Sequence, residues 1–422
     1  MAIVRPFKAV HYNPERVLLK QVIAPPYDVI TPEYRETLLN RSQYNVVSID
    51  LPVELPTGEN RYSAAARSYE SWFAENILQE ESEPAIYLYE QEYDYNGKHY
   101  TRTGFVALLK LEPLSEGVVF PHEKTLSAPK QDRLELMLAA KANFSSVFGL
   151  YMDQSETLKT VFNRFRQGMP LESAYDDDSV KHTVWIIKDK DAIQQVASFM
   201  KDKAIYIADG HHRYETSLTY RDILRKKHGN DEFDINLYDH IMMTFVNCYD
   251  PGLLILPTHR LVDEPANFVE GKFWESVRSK GVVKELENIE QAELFLADNK
   301  TPGKLVLITK GKIGGLYIDP EILETQNQFY REVNTYILQR EILEDILKMT
   351  ETQILNKQGI HFYQSPEDVL KSIQINGGVG ALLSAVNIDT LRKLAENKLV
   401  MPQKSTFFYP KLATGLLFNK LS

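Results

Sequence analysis

The sequence predicts a mixed α/β fold, and three observations carry that prediction. Apolar, β-rich runs alternate along the chain with stretches of helical spacing. Two of those runs flank Asn96-Gly97, the dipeptide best suited to a two-residue hairpin because both positions tolerate positive φ. The composition, 43% hydrophobic and 25% charged over 422 residues, supplies a sizeable core and exceeds what one ordinary core organises.

In chain order, "VIAPPYDVITPEY" comes first, where Pro25 and Pro26 force an extended entry and Asp28 is placed to cap the next element. A helical pattern runs from Tyr62 to Ile77, and the Asn96-Gly97 hairpin comes next. Asp132 stands three residues before Glu135, a capping-box spacing that predicts a helix start, with Leu134, Met137 and Leu138 on its apolar side. "VKHTVWIIKD", "KAIYIADG", "HIMMTFVNCYD" and "GLLILPTHRLV" read as strands, and Thr216 to Lys227 as a helix. The last third offers a hairpin at "TKGKIGG", a helix in "VNTYILQREILEDILK" and a strand in "GALLSAVN". Boundaries are placed near 104 and 263, although no Gly/Ser-rich linker marks either.

Net charge is −10, against the basic balance of a general nucleic-acid binder. Cys248, the single cysteine, excludes an intrachain disulfide and a thiolate metal cluster, and its apolar neighbours predict a buried structural thiol. No signal peptide and no run near the ~18 apolar residues of a membrane span is seen, so a cytoplasmic location is expected.

The chemistry-bearing residues lie at the ends of apolar runs. Asp209-Gly210-His211-His212-Arg213 sits between a strand and a helix, where free N–H groups and the positive end of a helix dipole meet an anion. Gly210 permits the turn, Arg213 offers a fork matching phosphate oxygens, and the histidines add donors. Asp209 is then a Mg²⁺ ligand or the group fixing a histidine tautomer. The spacing is neither a P-loop nor a Rossmann fingerprint. Zinc would draw on His211, His212, Asp209, His122 and His259, but adjacent histidines rarely point at one ion.

His122-Glu123-Lys124-Thr125 follows "GVVF". Glu123 is a candidate general base for a hydroxyl attacking phosphorus, with Lys124 and Arg133 stabilising charge on the transferred group. A solvated loop is the plain alternative. Thr258-His259-Arg260 ends another apolar run, and "MPQKSTFFYPK" adds Lys404, Ser405 and Thr406. Arg260 or Arg133 is the candidate for a substrate carboxylate. The clusters at 122–125, 209–213 and 257–260 are expected to converge on one cleft.

Together "RPFKAV", "APPYDVI", "PHEKT…DR", "YIADGHHRYET", "PTHR" and "MPQKST.FYPK" resemble, from Arg5 to Lys411, a large bacterial family catalogued as a domain of unknown function. That family looks related to free serine kinases of the ParB/sulfiredoxin-like superfamily. The resemblance implies a ParB/sulfiredoxin-like core over 105–262, an N-terminal α/β segment over 1–104 and a C-terminal one over 263–422. It implies a Mg²⁺-dependent kinase that makes O-phospho-L-serine from free L-serine for cysteine biosynthesis. Glu123 is the base, His122 its neighbour, and Asp209, Gly210, His211, His212 and Arg213 surround the donor phosphates and metal. Lys124, Thr125 and Arg133 add phosphate contacts, and Thr258, His259, Arg260 and Lys404 serve the acceptor. The donor is pyrophosphate, ADP or ATP, with pyrophosphate preferred on resemblance. The free serine kinases are much shorter, so the flanking segments have no counterpart in them. No nucleic-acid or membrane partner is expected, and a homodimer is allowed. The alternatives are a nucleotide-binding ParB-like switch without chemistry and a metal-dependent hydrolase. A sulfiredoxin-like role lacks a cysteine beside the phosphate turn.

Overall fold

The computed structural model describes residues 1–56, 58–123, 127–228, 236–297 and 301–421. They form two compact units. Met1–Pro121, Thr125–Leu254 and Pro410–Ser422 make the first; His122–Lys124 and Ile255–Tyr409 make the second. Both mix strands with helices, so the α/β class holds.

The first unit is built on a nine-stranded sheet. From one edge the strands run Val119–Phe120, Ile205–Asp209, Val147–Tyr151, His240–Asn247, Lys98–Lys110, Ile86–Tyr95, Lys181–Ile187 and Glu172–Tyr175, and Val4–Arg5 pairs with Lys98–Lys110. Two neighbouring pairs are parallel, Ile205–Asp209 with Val119–Phe120 and His240–Asn247 with Val147–Tyr151. The Asn96-Gly97 hairpin forms as expected: both residues take positive φ, 49° and 72°, which matches the twist of the flanking strands. Phe105 pairs with Phe245 across the sheet, their rings stacked at 4.8 Å in the centre of the core.

The expected boundary at 104 falls within the strand Lys98–Lys110, so residues on both sides of it share one sheet. The chain's last segment returns to this unit, where buried Phe418 packs among Tyr12, Tyr69 and Phe144. The seam lies instead at Leu254/Ile255, inside the run read as one strand. Pro257 cannot continue a ladder, and that run splits into Leu254–Leu256 and His259–Val262.

Two capping expectations change. Thr31, not Asp28, caps the helix Pro32–Arg41, its hydroxyl accepting from the Tyr34 N–H at 3.2 Å. Asp132 does not begin a helix, because that helix already runs from Ser127 to Ala140. Its carboxylate instead joins Arg61 and Arg133, a tertiary use that overrides the capping signal. The predicted Tyr62 helix spans Arg61–Ala74 and is capped by Asn60.

The second unit contains a six-stranded sheet in the order Gly281–Leu286, Lys312–Ile318, Lys304–Thr309, Val379–Leu382, His259–Val262, Ile360–Tyr363, antiparallel throughout. The helix expected from Val333 to Lys348 starts as α-helix at Asn334–Ile337 and then widens into a π-helix over Leu338–Glu344.

Candidate functional site

The strand Ile205–Asp209 ends at Asp209, Gly210 turns at φ +90°, and His211 opens an 18-residue helix, His211–His228. The Tyr214 N–H donates to the Gly210 carbonyl at 3.0 Å, closing the first turn. His211 is buried and His212 half-buried in that turn. This is the strand–turn–helix arrangement expected from the sequence.

The Arg213 guanidinium lies back over Gly210. A Cβ there would stand 2.9–3.0 Å from it, which is why glycine occupies the position. Arg213 Nη1 donates to the Ser146 carbonyl at 2.6 Å, whereas Nε is buried with no partner among the described residues. Unpaired buried donors are rare and costly, so this one marks where an acceptor would go. Replacing Gly210 with Ala forces a side chain into positive φ and pushes Arg213 aside. A loss of stability of about 1 kcal/mol or more is expected, read as a lowered Tm.

Asp209 accepts from the Gly210 N–H at 2.7 Å on Oδ1 and from Lys411 Nζ at 3.0 Å on Oδ2. Lys411 stands 202 positions away, in the motif that also holds Lys404. Among the described residues, no group of three or more His, Cys, Asp or Glu is arranged to hold a metal. Both Asp209 oxygens are thus engaged, one of them by a cation.

Arg133 and Arg213 line one small cavity of about 30 Å³ together with Asp50. Arg133 is almost fully buried, and its fork is committed: Nη1 bonds the Asp50 carbonyl at 2.5 Å, Nε and Nη2 bond Asp132, and the plane rests 4.3 Å from the Tyr27 ring centroid. Burial pushes the Tyr27 hydroxyl up to about 12, opposed by Arg213 and Arg133. Burial also raises the Asp50 carboxyl, again opposed by Arg133 and Arg213. Arg133 is thus committed to Asp50, Asp132 and Tyr27 beside the cavity that Arg213 also lines. Asp50, Tyr27 and Lys411 were not picked out as site residues from the sequence. Tyr27 and Lys411 stand inside motifs quoted for the resemblance, which was the available signal, whereas Asp50 had none.

The second unit gathers the other motifs. Glu123 pairs through its backbone with Met401, and its Oε1 accepts from the Ser405 N–H at 3.3 Å. His122 is buried, its Nε2 2.9 Å from the Thr406 hydroxyl and 3.9 Å from Glu123 Oε1, and its ring meets Phe408 edge-on. Arg260 donates to the carbonyls of Thr258, Gln403 and Lys404 at 2.8, 3.2 and 3.1 Å. Burial lowers its guanidinium to about 10, and Glu123 opposes the shift. Two of these bonds fasten the 401–406 segment and the third holds the Thr258 carbonyl, leaving fewer donors for a substrate carboxylate. Thr258 is buried, and Lys404 sits at a positive φ of 56°. Lys124 and Thr125 lie outside the described residues. The cluster at 122–123 thus meets 258–260 and 401–406 in one unit, whereas 209–213 belongs to the other.

His259 is buried, and its Nδ1 accepts from the Leu383 N–H at 3.2 Å, a structural bond. Burial, helped by Arg260, lowers its pKa to about 4. The unfolded chain takes up this proton near 6.5 and the folded one only near 4, so stability is lost as pH falls through that window, by about 3 kcal/mol in full. Asp250, raised by burial to about 6, works in the opposite direction. His259→Asn keeps an acceptor without the titration. The gap in urea midpoint between variant and wild type should therefore narrow, or reverse in the variant's favour, from pH 7 to pH 4.5. A gap that does not change with pH would refute the assignment.

Cys248 is buried and forms no disulfide. Among the described residues no helix is long and apolar enough to cross a membrane.

No curated protein matches the chain. Three solved structures show a distant likeness. A mutant free serine kinase in complex with ADP is 11% identical, covering 72% of this chain and 90% of that one, with a TM-score of 0.35. A conserved hypothetical protein from Pyrococcus furiosus is 14% identical, with 72% and 93% covered and a TM-score of 0.34. SbnI with a C-terminal truncation, from Staphylococcus aureus, is 9% identical, with 74% and 87% covered and a TM-score of 0.36. The match to the family described as a protein of unknown function (DUF1015) extends over residues 4–336, and the chain belongs to that family.

Proposed function

We propose that this protein is a phosphotransferase that moves a phosphoryl group from pyrophosphate, or from ADP or ATP, to the hydroxyl of free L-serine. The observation carrying the reading is the Asp209–Arg213 turn: a helix N-terminus, a glycine that lets the backbone approach, and an arginine whose buried Nε lacks a partner. That set suits an anion with several acceptor oxygens. The motif resemblance supplies the acceptor and the reaction class.

In the reaction as proposed, the seryl oxygen forms the new bond to phosphorus, the bond from phosphorus to the departing phosphate or nucleotide oxygen breaks, and the hydroxyl proton passes to the Glu123 carboxylate. Arg213, His211, His212 and the backbone N–H groups of the turn hold the phosphate oxygens. Mg²⁺, when bound at Asp209, would neutralise charge between phosphates. His122 positions Glu123, while Arg260 fastens the 401–406 segment through the Gln403 and Lys404 carbonyls, and the Ser405 N–H of that segment bonds Glu123. Lys124 and Thr125 keep the phosphate-binding role read for them from the sequence.

The test is direct. Purified protein is incubated with L-serine and Mg²⁺, separately with pyrophosphate, ADP and ATP, and O-phosphoserine is sought by ³¹P NMR. Product with one donor supports the reading and names the donor. No product with any donor removes it and favours a nucleotide-binding switch without chemistry.

A further inference from the structure

The second unit holds a cavity of about 180 Å³, lined in part by Arg260, whose guanidinium is already bonded to the Thr258, Gln403 and Lys404 carbonyls. Gln403 lines it, and both polar atoms of its carboxamide are buried with no hydrogen-bond partner among the described residues. A carboxamide offers a donor and an acceptor side by side, and here neither meets a protein partner among the described residues. The turn around it is held by the Ser405 hydroxyl, which donates to the Pro402 carbonyl at 2.5 Å, and by the positive φ of Lys404. The loop is therefore built to keep Gln403 where it is, in a backbone conformation that side chains rarely adopt.

The cavity also has flat aromatic walls. Tyr330 and Tyr336 line it as a parallel stack, 4.2 Å apart and 13° from coplanar, and the Tyr330 hydroxyl is fixed on the Val400 carbonyl at 2.8 Å. A further wall comes from the π-helix Leu338–Glu344, through Gln339 and Leu343. π-helical turns are rare and concentrate at functional sites, because the widened turn redirects side chains.

We propose that this cavity binds a nucleobase, either of a free nucleoside or of a nucleotide. A base edge carries the complementary donor and acceptor that Gln403 lacks, and bidentate pairing of Gln with such an edge is a general recognition mode. A base face stacks on tyrosine whatever its sequence identity. The volume suits one ring system with little else, which disfavours an extended peptide. The inference stands on the second unit alone and does not depend on phosphoryl transfer.

The experiment is calorimetric titration of the full chain with adenosine, guanosine, cytidine and uridine, and with their 5′-monophosphates, in the absence of serine, pyrophosphate and Mg²⁺. Saturable binding of at least one nucleoside is expected, weakened about tenfold or more in Gln403→Met, where the edge contacts are lost. A nucleotide that binds much more tightly than its nucleoside identifies the nucleotide as the ligand; equal affinities identify the nucleoside. Gln403→Met should also raise the Tm of the ligand-free protein, since an apolar chain replaces an unpaired amide, whereas a merely structural glutamine would give the reverse. Tyr336→Leu provides a second loss of binding that leaves Gln403 in place. Absence of saturable binding by the wild-type protein, or unchanged affinity in both variants, overturns the proposal. With no phosphate donor or serine present, that failure would leave the O-phosphoserine result untouched.

Discussion

For the reaction proposed, replacing Glu123 with Gln is expected to stop phosphoserine formation, lowering kcat about 10²–10⁴-fold while the donor still binds. A serine hydroxyl is a poor nucleophile near neutral pH, so the rate depends on a group that takes its proton as the bond to phosphorus forms. The glutamine keeps the side-chain oxygen that accepts from the Ser405 N–H, and the backbone pairing with Met401 does not involve the side chain. The local fold should therefore survive, and an unchanged melting temperature is the control. Donor affinity measured by calorimetry separates the two possible failures. Lost turnover with retained donor binding assigns Glu123 to the chemical step, whereas retained turnover removes it from the mechanism.

Arg213→Lys is expected to weaken donor binding roughly 10–100-fold, the range spanned by one or two charge-assisted hydrogen bonds. Lysine keeps the positive charge but loses the planar fork, and with it the Nε–H that now lies buried without an acceptor. It also loses the bond from Nη1 to the Ser146 carbonyl, so some loss of stability is expected with the loss of affinity. The discriminating measurement is the Kd for pyrophosphate at two salt concentrations. An arginine holding the anion leaves a variant that binds weakly at both. An affinity equal to wild type would mean that the guanidinium serves only to brace Gly210 and Ser146.

Both predictions concern residues visible in the sequence, but the structure alters the roles of their neighbours. Arg133 and Arg260 read equally well as anion ligands, being cations at the ends of apolar runs. In the fold each is buried, and its fork is fastened to Asp50 and Asp132 in one case and to the Thr258, Gln403 and Lys404 carbonyls in the other. Nothing in the sequence separated these arginines from Arg213, because the difference is whether a partner arrives from a distant segment. His259 shows the same limit: it reads as a substrate group, yet its ring serves the Leu383 N–H and burial keeps it neutral at ordinary pH.

The features that the sequence determined by itself are those governed by short-range physics. The hairpin at Asn96-Gly97 comes from two residues that tolerate positive φ, and the turn at Gly210 from a glycine between an apolar run and a helical pattern. The alternation of strand and helix came from periodicity, and the motifs carried the family. Tertiary structure alone decided the rest. It placed Asp209 against Lys411 across 202 positions and drew Asp132 away from capping into a cluster with Arg61 and Arg133. It also carried the chain's end back to the first unit and left the Gln403 amide unpaired in a cavity. Contacts of that kind have no period and no local propensity, since the free energy that fixes them comes from burial and pairing between segments remote in sequence.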